Sequence, residues 1–303
     1  MKKQKKILIV GGTGFIGYYL AKRCLAKNWK VISFSKNLPR KIRCLKKVKY
    51  FTGDLSIKKD LNILPKSFDY VVNLGGYVEH KNKVKVYNSH YKGCKNLSNF
   101  LINKNLRSFI QIGSSGEYGR VNSPQAESVA GNPKSNYSRA KFLATNHLIR
   151  LYKRKKFPVT ILRLYQAYGP NQDTNRFIPI VIDACINDKN FECSDGKQLR
   201  DFIHIDDVVE AIMKSLKNLK TKGEIMNIGT GKPQKIKKVI NYLVKRLKGG
   251  KPKFGKIKSR EDEMLKIYPD ISKAKKILKW SPKINFKTGL ENTVRHYENK
   301  NIL

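Results

Sequence analysis

Five short β-rich apolar runs with helical patterns between them narrow the folds open to this chain more than any other feature. The runs are KILIV (6–10), KVISF (30–34), YVVNL (70–74), SFIQIGS (108–114) and VTILRL (159–164), and amphipathic stretches fall at about 15–26, 87–103 and 136–153. Strands that recur in this way form a parallel sheet with helices on both faces, because parallel neighbours are joined by a crossover long enough to hold a helix. After about residue 165 the pattern turns irregular, with Pro170, Pro179, Pro233, Pro252, Pro269 and Pro282 punctuating shorter elements. The expected organisation is a parallel-sheet domain over 1–164 and a smaller α/β lobe over 165–303 on the C-terminal edge of the sheet. HIDDVVEAIMKSL (204–216) reads as a long helix, and the segment of about 202–228 is expected to return to the first domain.

Directly after the first strand stands GGTGFIG, which spaces Gly11, Gly14 and Gly17 as GxxGxxG in a strand-to-helix turn. Glycines there permit the tight turn, bring backbone close to a pyrophosphate and let helix and strand pack tightly, while the helix N-terminus offers N–H donors to the anion. A glycine motif alone is weak, but at the first strand–helix junction of an alternating chain it specifies a dinucleotide site. The fold class expected is α/β, a Rossmann-type doubly wound parallel sheet with a smaller C-terminal α/β substrate lobe. At the end of the second strand, where an NAD binder offers an acid to the adenosine ribose, the chain reads SFSKNLPRK. Ser35, Lys36 and Arg40 suit a 2′-phosphate, so NADP(H) is favoured, with NAD(H) as the alternative. Asp54, in FTGDLS, is either an acceptor for the adenine amine or an ordinary turn residue.

The charge raises a rival. With 64 basic and 22 acidic residues the chain carries +42, which suits a nucleic-acid binder. The lysines are spread over nearly every segment, however. Their denser spots (2–6, 153–156, 245–260) lack the interleaved aromatics of a single-strand platform, and no helix-turn-helix, zinc-finger or RRM pattern is present. A solvated basic surface that attracts anionic ligands is expected, without a nucleic-acid partner. The opening apolar stretch is too short and glycine-broken for a signal peptide, and no run reaches the ~20 apolar residues of a membrane span. Five cysteines without a CxxC pair suit free thiols in a reducing cytoplasm, with no disulfide framework and no metal site.

Tyr137 and Lys141, four apart in SNYSRAKFLATNHLIRLYKRKK (135–156), share one helix face. Taken alone, the pair is either an exposed face of a lysine-rich helix or a phenol held beside a cation that favours phenolate.

With GGTGFIG, GDL, IGSSGEYG, YSRAK, RLYQAYGP and QLRDFIHIDD in this order, nearly the whole chain resembles the extended short-chain dehydrogenase/reductases. These are the NAD(P)-dependent epimerase/dehydratase family acting on nucleotide sugars. The resemblance implies that Tyr137 is the acid/base, that Lys141 supports it and holds the nicotinamide ribose, and that Ser114 hydrogen-bonds the reacting oxygen. It completes the cofactor set of Gly11, Gly14, Gly17, Ser35, Lys36, Arg40, Asp54, Tyr137 and Lys141 with Phe15, Ile16, Leu55, Leu74 and Gly75. For the nucleotide diphosphate sugar it implies Ser115, Gln166, Arg176, Gln198, Arg200 and Arg260, the two arginines Arg200 and Arg260 on the diphosphate. A homodimer is the assembly it implies.

Several positions depart from the family pattern. Ser115 and Gly116 stand where 4,6-dehydratases place an acid, so dehydration is not expected, and Glu117 falls one place later, aimed differently along the chain. No Cys occupies this loop, unlike the epimerase-reductases that make GDP-fucose. Gly75-Gly76 replaces a common Ala pair, His90 a cofactor-side Asn, and His204 a common Tyr, read as structural. The function expected is reduction of an NDP-4-keto-(deoxy)sugar, with C4 epimerisation of a nucleotide sugar as the alternative. A non-enzymatic dinucleotide binder is disfavoured by the intact Ser–Tyr–Lys set.

Overall fold

The computed structural model describes residues 4–77, 82–258 and 263–299. It begins with β1 (Lys6–Val10), α1 (Phe15–Ala26), β2 (Lys30–Ser35), β3 (Val48–Thr52) and β4 (Tyr70–Asn73). Helix α2 (Lys83–Tyr87) then runs through a single π-helical turn at Asn88–Lys92 into α3 (Gly93–Leu101). Next come β5 (Ser108–Ser114), α4 (Asn136–Lys155), β6 (Val159–Leu164), β7 (Gln166–Tyr168), α5 (Phe177–Ile186), β8 (Asn190–Glu192), β9 (Leu199–Arg200) and β10 (Phe202–His204). The chain continues through α6 (Ile205–Lys217), β11 (Ile225–Ile228), β12 (Gln234–Lys235), α7 (Ile236–Leu247), β13 (Lys251–Lys253), β14 (Lys266–Ile267), α8 (Ser272–Leu278) and α9 (Phe286–Glu298).

Seven strands make one parallel sheet in the order β11-β6-β5-β4-β1-β2-β3. The chain starts mid-sheet, winds outward through β2 and β3, then returns beside β1 with β4 and winds the other way. That reversal leaves a crevice between β1 and β4 at the C-terminal strand ends, the place where such sheets hold ligands. Both faces are covered, and β1 shows why its run is apolar throughout. Ile7 and Ile9 join the layer under α1 and α6, while Leu8 and Val10 join the layer under α3 and α4.

A third apolar cluster lies apart from the two layers that cover the sheet. α5, α7 and α9 enclose it, and it includes Ile182, Ile240 and Val294. Within the later half of the chain, α6 lies against α1, and β11 pairs with β6, so this segment packs on the large sheet. The stretch read as one helix at 87–103 is a composite of α2, the π turn and α3, with His90 buried inside the turn. No helix among the described residues is long and apolar enough to cross a membrane.

Candidate active site

A cleft of about 960 Å³ opens along the C-terminal ends of the strands. Its walls carry Gly11, Gly14, Phe15, Ile16, Gly17, Ser35, Lys36, Arg40, Asp54, Leu55, Leu74 and Gly75, together with Ser114, Ser115, Tyr137, Lys141, Gln166 and Arg176. Residues far apart in sequence thus share one concave surface, because each sits just past the end of a neighbouring parallel strand or on a helix packed behind it.

The β1–α1 turn is shaped for an anion. Gly11 has φ +75°, and a Cβ there would stand 3.0 Å from the Leu74 carbonyl carbon; a Cβ on Gly17 would collide with the Gly11 carbonyl oxygen. At Gly14 a Cβ would meet only that same oxygen, at 3.3 Å, and would otherwise project into the cleft. No side chain caps α1 and no acid lies in its first turn, so its leading N–H groups can donate to an anion. This cradle fits a dinucleotide pyrophosphate, which needs close backbone approach and N–H donors at a helix start.

At the end of β2 the Ser35 hydroxyl accepts the Thr13 N–H at 3.3 Å. The Lys36 ammonium lies 3.3 Å from Oδ2 of Asp54, whose Oδ1 accepts the Ser56 N–H at 2.8 Å. Burial pushes the Asp54 carboxyl upward, but its bonds to Ser56 and the Lys36 cation outweigh that and hold it below the usual range. Arg40 stands 3.9 Å from the Asp173 carboxylate.

Lys141 is tied to β5, the strand that ends in Ser114, and shares α4 with Tyr137. Helix α4 is started by the Ser135 side chain, which accepts the Ser138 N–H, and this places Tyr137 in the first turn and Lys141 one turn later. The buried Lys141 ammonium donates to the Ile112 carbonyl at 2.8 Å and lies 6.0 Å from the Tyr137 ring centre. Ser114 follows Ile112 by two positions on the same strand, and its Oγ accepts the Gly116 N–H at 3.1 Å, leaving the hydroxyl proton to be donated elsewhere. A phenol, an ammonium and a hydroxyl thus line one cleft, and groups of these types can move a proton at an oxygen.

Glu117 faces the interior, fully buried. Its carboxylate accepts from Ser114 N–H at 2.8 Å, from Thr145 Oγ1 at 2.8 Å and from Arg163 Nε at 3.1 Å. Burial would lower the Arg163 value, yet the Glu117 carboxylate and Tyr118 outweigh it and raise it. Glu117 therefore secures the backbone of the serine loop from behind.

The remaining expected substrate residues are placed elsewhere. Gln198 is buried against Ser194, with bonds of 3.2 Å, and does not line the cleft. Arg200 does not line it either: its Nη2 donates to Glu263 at 2.7 Å and its Nη1 to the Leu199 carbonyl at 2.9 Å. Arg260 lies outside the described residues. Conversely, Arg43, Tyr77, His90 and Asp173 line the cleft without having been singled out as binding residues. Buried Arg43 bonds the Asn171 carbonyl at 3.1 Å and Asp173 at 2.9 Å, stapling the segment after β2 to the loop after β7. Nothing local distinguishes Arg43 among 64 basic residues, so only the fold could reveal it.

Comparison with known proteins gives consistent matches. The family model described as "NAD dependent epimerase/dehydratase family" matches residues 7–229. A Methanocaldococcus jannaschii protein provisionally named a UDP-glucose 4-epimerase is 31% identical over 97% of this chain and 99% of its own length. Among solved structures, a Thermotoga maritima UDP-glucose 4-epimerase with UDP-glucose superposes with a TM-score of 0.89 at 22% identity, covering 97% of this chain and 98% of that one. A Streptomyces venezuelae dTDP-glucose 4,6-dehydratase with NAD bound superposes at 0.90 and 21% identity, covering 97% of each chain.

Proposed function

The chain belongs to the NAD dependent epimerase/dehydratase family of enzymes, and on that footing we propose that it interconverts a hydroxyl and a carbonyl at C4 of a nucleotide diphosphate sugar. The observation that supports this reading is the one cleft that Ser114, Tyr137 and Lys141 line together with the glycine cradle. A nicotinamide dinucleotide in the cradle supplies or accepts the hydride. Tyr137 moves the proton on or off O4, and Ser114 donates a second hydrogen bond to the oxygen as charge develops on it. Lys141, anchored on the Ile112 carbonyl, keeps a cation beside the phenol and retains N–H donors for a ribose.

Elimination of water is not part of this proposal. Ser115 and Gly116 bring no carboxylate to the wall, and the one nearby, Glu117, is spent on Arg163 and Thr145. Of the two remaining outcomes, 4-ketoreduction with NADP(H) is favoured by the end of β2, where Ser35, Lys36 and Arg40 stand without an acid at the ribose position. A C4 epimerase that keeps NAD(H) bound is the second reading, favoured by the full-length likeness to the methanogen protein. Ser115, Gln166 and Arg176 are assigned to the substrate. Arg200 and Arg260 are assigned to its diphosphate, with Gln198 beside them; Arg200 would have to leave Glu263 to reach it. Exposed Val84 and Tyr87 on α2 and Leu143 on α4 form apolar surface that supports a homodimer, and free cysteines support a reducing cytoplasm.

Analysis of nucleotide released from purified protein tests the choice. Protein that arrives empty and takes NADPH in preference to NADH supports the reductase. Stoichiometric NAD, with turnover that needs no added cofactor, would replace it with the epimerase.

A further inference from the structure

Gly76 and His90, separate departures from the family pattern in sequence, meet in space. A Cβ built on Gly76 would collide with Cε1 and Nδ1 of the His90 imidazole and stand 2.9 Å from Nε2. The ring therefore occupies the volume that any side chain at position 76 would need. Its Nε2 lies 3.1 Å from the Tyr77 carbonyl oxygen, and its plane meets the Tyr137 ring edge to face, with centres 5.0 Å apart and planes at 84°. His90 is 6% exposed and lines the cleft beside Tyr137. It projects from the π turn at Asn88–Lys92, an irregularity of the kind that gathers at functional sites.

We propose that His90 is a positioning residue for Tyr137: its imidazole, seated on Gly76 and held by the Tyr77 carbonyl, fixes where the phenol stands in the cleft. The inference rests on the reading of Tyr137 as the proton carrier. Tyr137 needs such support because it belongs to the first turn of α4, where the backbone has fewest internal bonds. Edge-to-face rings at this separation attract, and the contact sets both the position and the tilt of the phenol. Lys141, 6.0 Å from the ring centre, is the cation on the same helix, so the phenol has a neighbour on α4 and another from the π turn. A misplacement of about 1 Å at such a group costs up to ~10²-fold in rate. A carbonyl oxygen only accepts, so the geometry also fixes the imidazole proton on Nε2.

A double-mutant cycle separates positioning from packing. His90→Asn creates no clash, and it is expected to fold and bind cofactor as the wild type does while kcat falls by roughly ten- to a hundred-fold. Gly76→Ala displaces the imidazole from its seat and is expected to lose a comparable factor. In the His90→Asn background the same alanine should cost clearly less than in the wild type, because the ring carbon Cε1, the atom it would strike most closely, is gone. Equal effects of Gly76→Ala in both backgrounds, or wild-type kcat in His90→Asn, would overturn the proposal. A cofactor-free readout accompanies the cycle: long-range ¹H–¹⁵N spectra, with the His90 signals identified by their loss in His90→Asn, should show the ring proton on Nε2. A proton confined to Nδ1 would remove the Tyr77 contact and the proposal with it. Tyr137→Phe is the control that distinguishes the two levels. If that variant kept full turnover, the function proposed above would fail; if it lost turnover while the cycle was additive, only the role of His90 would fail.

Discussion

The Glu117 carboxylate lies 3.1 Å from Nε of Arg163, with the two side chains 0% and 4% exposed, directly behind the strand end that carries Ser114. A pair this deep repays its desolvation only while both partners remain. Glu117→Ala strands the guanidinium and is expected to cost about 3–5 kcal/mol of stability. Glu117→Leu combined with Arg163→Met should cost far less than either single change, since no buried charge is then left alone. Denaturant unfolding of Glu117→Ala, Glu117→Leu, Arg163→Met and the double variant checks this. Additive losses would show that the two residues do not act as a pair.

Ser35 governs the second expectation. It is 8% exposed, and its hydroxyl already accepts the Thr13 N–H, a bond that an aspartate at this position can keep. Ser35→Asp is therefore expected to fold normally and to repel a 2′-phosphate while accepting ribose hydroxyls. The ratio of kcat/KM for NADPH to that for NADH should fall by roughly ten-fold or more, the scale of one charged hydrogen bond. A wild type that already prefers NADH would show that the segment after β2 does not select a phosphate.

His204 carries a pH dependence. Its Nδ1 accepts the Asp206 N–H at 3.3 Å at the start of α6, and the residue is 4% exposed. Burial is the main cause that lowers its value below the ordinary 6.5, and the Asp206 and Asp207 carboxylates offset it only in part. The unfolded chain therefore takes up this proton first. Its contribution to stability is present in full above pH 6.5 and is lost as pH falls from there through the lower folded value. Melting temperature should drop on acidification over this window. His204→Asn keeps a side-chain cap without a titrating ring, so its drop should be smaller. An unchanged pH profile in His204→Asn would remove His204 as the source.

What could be read from the chain divides along physical lines. The glycine turn, the parallel strands and the Tyr137–Lys141 face were legible because each is written in adjacent or helically spaced residues. The crevice, and the gathering of Ser35, Asp54, Leu74 and Ser114 on its surface, depends on the order of strands, which the alternating pattern does not state. Long-range polar partners were not. Arg43 reaches Asp173 and Arg200 reaches Glu263 only after folding, and no local pattern marks either pair. Gly76 and His90 are fourteen positions apart, and their contact depends on the π turn, which periodicity reads as ordinary helix. Glu117 was expected to be aimed differently by strand alternation; it lies instead in a 3-10 turn that follows β5, and its partner Arg163 comes from the adjacent strand.

Everything proposed for the reaction passes through the Tyr137 hydroxyl, so its removal is the most direct test. Tyr137→Phe deletes one oxygen and leaves the ring, its contact with His90 and the Lys141 anchor on Ile112 in place. Single-turnover hydride transfer to an NDP-4-keto sugar, followed by nicotinamide absorbance with cofactor affinity measured in parallel, should slow by roughly 10²–10⁴ while affinity and melting temperature stay at wild-type values. Hydride transfer within a few-fold of wild type would contradict the account, because the proton would then be moving without Tyr137.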